Sequence, residues 1–93
     1  MKFKDILDKA YRKTKSIEEW RDTVYNGRHT SFAYGGNMLC LMGGDSVNHV
    51  DIKVDQDVKV DGNYIHVTDT QGSNLKLIFY EGIHEGKPYR FYE

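Results

Sequence analysis

The side chains that could do chemistry are few and scattered. The four histidines are His29, His49, His66 and His84. His49 and Asp51 stand two apart in a strand-like stretch, so both point to one side and could supply two metal ligands. No Cys-x-x-Cys or His-x-x-x-His spacing supports them, and no metal site is assigned. Cys40, the single cysteine, lies inside Met38-Leu39-Cys40-Leu41-Met42. A thiol in an apolar strand packs as a small hydrophobe and its pKa rises, which disfavours the nucleophilic thiolate. Gly35-Gly36 and Gly43-Gly44 lack the following Lys-Ser/Thr of a phosphate loop and read as turns. The residues therefore assemble no catalytic constellation and imply no cofactor.

Recognition chemistry is better represented. Asp45, Asp51, Asp55, Asp57, Asp61 and Asp69 crowd into residues 45–69, with Lys53 and Lys59 between them. They form either a solvated sheet face with charged edges or an acidic surface for a basic groove on a partner. Seven tyrosines, four phenylalanines and one tryptophan supply the residue types that dominate binding hot spots. The tail Lys87-Pro88-Tyr89-Arg90-Phe91-Tyr92-Glu93 combines three aromatics with two cations. The candidate partner-binding residues are Asp55, Asp57, Asp61, Tyr64, Tyr89, Arg90 and Tyr92.

The elements that must position these groups are legible from periodicity. Val50, Ile52, Val54, Val58 and Val60 share one parity with charged residues between them, the pattern of a half-buried strand. A turn at Gly62-Asn63 sets Asp61 against Tyr64, Val60 against Ile65 and Lys59 against His66. Apolar then meets apolar, and glycine takes the first central position of the turn. A second hairpin at Gln56 would oppose Lys53 to Lys59 and Asp51 to Asp61. One long strand bent near Gln56 is therefore predicted, with Asp55, Asp57 and Asp61 together on the side away from the valines.

Upstream, Phe3, Ile6, Leu7, Ala10 and Tyr11 recur at helical spacing and predict an amphipathic helix over residues 3–14. Ser16 with Glu19 matches a capping box, so a second helix is predicted from Ser16, with Ile17, Trp20 and Val24 buried and Gly27 as its left-handed C-cap. Thr30–Tyr34 and Asn37–Met42 read as strands joined at Gly35-Gly36, Leu75–Glu81 as another, and Tyr89–Tyr92 as a last edge strand. The predicted fold is a single α+β domain over residues 1–93. Its two N-terminal helices pack on an antiparallel meander of five or six strands.

Composition bounds the function. Thirteen Lys+Arg against fourteen Asp+Glu give a formal charge of −1, which argues against a general polyanion binder and against a strongly acidic DNA mimic. Residues 1–28 carry eight basic and five acidic groups, and residues 29–93 carry five and nine. One cysteine permits no internal disulfide and fits a reducing compartment. No stretch approaches the length of a membrane span. A cytoplasmic chain is expected, monomeric or weakly dimeric, with no membrane association.

The opening helix Lys2–Thr14, the start Ser16-Ile17-Glu18-Glu19-Trp20 and the Tyr- and Asp-rich stretch after it resemble small accessory proteins of phages and mobile elements in low-GC bacteria. Short inhibitors of the anti-CRISPR type are the nearest in style. The resemblance implies a non-catalytic protein that binds a host protein, often a CRISPR effector nuclease, in the host cytoplasm. The alternative is a nucleic-acid-associated protein that contacts phosphates through Lys2, Lys9, Arg12, Lys13 and Lys15.

Overall fold

Alternation at period two extends well beyond the valine stretch. The computed structural model describes residues 1–21, 27–42, 49–83 and 86–88. Among these, one short helix, α1 (Phe3–Ala10), is followed by seven antiparallel strands. They are β1 (Ser16–Arg21), β2 (Arg28–Gly35), β3 (Met38–Met42), β4 (Val50–Lys53), β5 (Lys59–Asp61), β6 (Tyr64–Thr68) and β7 (Asn74–Tyr80). The sheet order is β4-β3-β2-β1-β7-β6-β5, curled into a half-barrel. The mostly β architecture replaces the predicted two helices on five or six strands.

The predicted second helix is the central strand. β1 pairs with β2 on one side and along its whole length, Ser16 to Arg21, with β7 on the other. Ile17 faces inward between Thr30 and Phe79, and Glu19 follows it on the same face, its carboxylate 3.0 Å from Arg21 Nη2. The capping-box residues are thus strand residues with partners across the sheet. Non-local pairing overrides the local helix signal, as tertiary context commonly does with propensity. Val24 lies outside the described residues.

Helix α1 supplies the inner layer. Phe3, Ile6, Leu7 and Ala10 are buried in one core with Ile17, Leu39, Leu41, Ile52, Ile65, Leu77 and Phe79. The helix stops at Ala10, short of the predicted Thr14. The Thr14 hydroxyl and amide both donate to the Ala10 carbonyl, at 2.8 and 2.9 Å, and close the last turn. Tyr11, predicted to be buried, is 41% exposed and rests edge-on against Phe32 and Tyr34. Trp20, also placed in the predicted core, is half-buried on the opposite face of the sheet. No helix among the described residues is long and apolar enough to cross a membrane.

The predicted hairpin is present in its predicted register: Lys59↔His66, Val60↔Ile65 and Asp61↔Tyr64, with Gly62 at a φ of 62°. That left-handed value at the first turn position is the reason for glycine there. The long bent strand is not present. β4 ends at Lys53, and β5 begins at Lys59 on the other edge of the sheet. The connector 54–58 crosses from edge to edge and is held by the N-terminus. Val58 N donates to Met1 O (2.8 Å), Phe3 N to Gln56 O (2.9 Å) and Lys4 N to Val54 O (2.8 Å). Val54 is fully buried beneath this crossing.

Gln56 completes the crossing with its side chain. Its Nε2 donates to Lys53 O (2.9 Å) and to Thr68 O (2.8 Å), and its Oε1 accepts from Thr68 N (3.0 Å). Beside it, Thr70 N donates to Asp51 O at 2.9 Å. The carboxamide does for β4 and β6 what a strand between them would do. A net contribution of about 0.5–1.5 kcal/mol per bond, in a half-buried site, predicts that Gln56→Ala lowers stability by about 1–3 kcal/mol. Gln56→Glu keeps the shape but removes the donors, and should cost at least as much. Urea denaturation checks both. A midpoint unchanged in either variant would mean that the seam contributes nothing.

Candidate interaction surface on the outer sheet face

Cross-strand pairing fixes what the outer face, turned away from α1, presents. Inward residues Ile17, Glu19 and Arg21 leave Ser16, Glu18 and Trp20 outward. One outward row across β2, β1 and β7 is His29, Glu18, Ile78. The next, across β1, β7, β6 and β5, is Trp20, Lys76, His66, Lys59. Tyr64 and Tyr80 flank these rows, on β6 and at the end of β7.

Glu18 is the hub. Its Oε1 accepts from Trp20 Nε1 at 2.7 Å, and its Oε2 lies 3.2 Å from His29 Nε2. The Tyr80 phenol stands close enough to feel the charge of the same carboxylate. The Glu18 side chain is only 14% exposed, and these polar neighbours compensate its desolvation. The His29 ring sits 5.1 Å from that of Tyr80. Burial pushes the Tyr80 phenol up, and the Glu18 charge adds to the rise. Gly27, predicted as a helix cap, instead precedes β2. A Cβ there would strike Trp20 Cε2 and Nε1 and Glu18 Cγ, so its missing side chain lets the backbone lie against the indole.

Beside the hub, Lys76 Nζ lies over two rings, 5.4 Å from the Trp20 centroid and 4.8 Å from that of Tyr64. An ammonium held between ring faces gains quadrupole attraction and loses freedom before any partner arrives. The Glu18 carboxylate already has its donors, so the arrangement suits recognition better than proton transfer.

The other predicted groups are dispersed. Asp55 and Asp57 are exposed on the connector, not on a strand. Asn37 Nδ2 lies 3.3 Å from Asp55 Oδ2, and Lys2 Nζ lies 3.5 Å from Asp57 Oδ2. Asp61 is exposed on β5, its Oδ2 4.0 Å from His66 Nε2, and Tyr64 faces it across the hairpin as predicted. No common strand face presents the three aspartates. Tyr89, Arg90 and Tyr92 lie outside the described residues. Cys40 is outward and half-buried between Ala33 and Asp51, whereas Leu39 and Leu41 take the core. Burial, then the Asp51 carboxylate, raises the thiol's pKa. His49 pairs with Asp51 at 3.7 Å, and among the described residues no three His, Cys, Asp or Glu side chains converge on a metal position.

Sequence reasoning missed Glu18, His29, Lys76 and Tyr80, and placed Trp20 in the core. The available signal was Leu75-Lys76-Leu77, a lysine alternating with core residues. No family model, curated protein or solved structure matches this chain.

Tyr34, Cys40 and Tyr80 are all raised, each chiefly by burial. Their protonated forms are favoured in the fold. Stability is therefore fully present below the ordinary thiol and phenol values and falls as the pH climbs through and above them. Thermal melts across that range should show the decline, and Glu18→Gln should make the Tyr80 part of it shallower. A melting temperature flat to the top of the range would contradict the burial of these groups.

Proposed function

We propose that this chain is a non-catalytic protein-binding module that inhibits a host protein by occupying its surface. The resemblance to anti-CRISPR inhibitors makes a host defence nuclease the partner class, and the host cytoplasm the place of action. The observation that carries the reading is the outer-face cluster: Trp20, Tyr64 and Tyr80 gathered around Lys76 and the Glu18–His29 pair. Aromatic residues concentrate binding energy at interfaces. Here Trp20 is fixed in advance by its bond to Glu18 and by packing against Gly27, which reduces the ordering cost on association.

Asp55, Asp57 and Asp61 act differently in this reading. Exposed carboxylates beyond the aromatic cluster steer the approach of a basic partner and set the rate of association more than the strength of the complex. Asp61 stands nearest the cluster through its pairing with Tyr64.

Affinity capture from a low-GC bacterial lysate, followed by mass spectrometry, tests the reading with two comparators. Wild type should retain one protein, and Tyr64→Ala/Lys76→Ala, with its fold checked by circular dichroism, should lose it. Asp55→Asn/Asp57→Asn/Asp61→Asn should retain the same protein but associate more slowly, with a flatter salt dependence. Equal retention by the Tyr64/Lys76 variant would remove the outer face from consideration.

A further inference from the structure

β2 changes neighbours partway along. From Arg28 to Thr30 it pairs with β1, and from Ser31 to Gly35 with β3. The sheet parts where β1 has not yet begun, and the turn after α1 lies across the gap. The result is a pair of adjoining hollows that share Lys15 and Ser31. One is flanked by Tyr11, Arg12 and Phe32, the other by His29. Among the described residues that line the two, none is Asp or Glu. Glu18 stands behind His29, and Asp8 accepts from the Tyr34 hydroxyl behind the ring of Tyr11, so the positive charge at the groove comes from Arg12 and Lys15 alone among its lining residues.

We infer that this groove binds a short segment of single-stranded nucleic acid, independently of the outer-face reading. Arg12 and Lys15 are three residues apart and exposed, on either side of the buried Thr14, so two cations border one channel. Ser31 adds an exposed hydroxyl between them and His29. Arg, Lys and Ser are the side chains that commonly contact phosphates. Tyr11 supplies what an acidic peptide would not need. Its ring is held by T-shaped contacts with Phe32 at 6.0 Å and Tyr34 at 5.4 Å, yet 41% of the residue is exposed. A fixed, partly exposed ring beside two cations is a place for a base to stack while its phosphates meet the charges. A duplex, with its bases already stacked inward, could not use the ring.

Fluorescence anisotropy with the full chain and a labelled mixed-sequence single strand of about twelve nucleotides tests the inference. Two phosphate contacts predict that log affinity falls with log salt at a slope of about −1.4. Arg12→Glu/Lys15→Glu should abolish both binding and slope, with an unchanged circular dichroism spectrum. Tyr11→Ala should weaken binding about tenfold at an unchanged slope, and Tyr11→Phe should restore it. A glutamate-rich peptide of equal charge and the matching duplex should bind more weakly. The inference is overturned if the single strand does not bind, if the charge-reversal variant binds as wild type does, or if the peptide or duplex binds as tightly.

Discussion

The connector between the two sheet edges is the constraint on which this fold depends. A seven-stranded sheet that curls around one short helix has two edges, and unpaired edge groups invite association with other chains. Here the chain itself runs from β4 to β5 across the opening, and residues 1–4 pair with it from the helix side. Gln56 then joins β4 to the end of β6 with a side chain. Helix placement, edge protection and burial of Val54 are therefore consequences of one crossing. The Lys2–Asp57 ion pair at the same place is exposed and adds little by comparison.

The core and the outer face divide β1 between them. Ile17 goes inward, while Glu18 and Trp20 go outward to a surface that α1 does not cover. Two consecutive glutamates in a central strand would be costly if either lacked partners. Glu19 has Arg21 on the inner side, and Glu18 has Trp20, His29 and Tyr80 on the outer side. The polar network thus uses the strand's two faces separately, and it holds the outer aromatics in fixed positions.

How much was legible follows from where each signal resides. The hairpin at Gly62-Asn63 could be read residue by residue, because parity and turn chemistry are local and agree. Helix α1 was legible in its existence and in the face made by Phe3, Ile6, Leu7 and Ala10, which repeat at helical spacing, but not in its end at Ala10. β1 was not legible, because Ser16-x-x-Glu19 is a good local helix start and the pairing that overrides it comes from Thr30 and Phe79, far along the chain. The connector failed for a related reason. Its valines keep strand parity on both sides of Gln56, and only the contacts with Met1–Lys4 show that the chain crosses between edges there. Tyr64 was legible through the hairpin register, whereas Lys76 and Trp20 meet only because β1 and β7 are neighbours in the sheet.

Topology also relocates the charge asymmetry of the sequence. Asp55 and Asp57 come to the N-terminal end of α1, beside Lys2, whereas Arg12 and Lys15 follow its C-terminal end. An eight-residue helix separates these regions by roughly 12 Å, more than a Debye length at physiological salt. Each can therefore act on a partner with little interference from the other. Both signs also suit the helix dipole, with carboxylates near its start and cations after its end. A formal charge of −1 averages over two surfaces of opposite character, so the near-neutral total does not bar either from electrostatic recognition. What distinguishes them is the apolar surface at hand: the basic side chains lie along a turn beside a braced, partly exposed aromatic ring, while the acidic ones project from a connector pinned by the N-terminus.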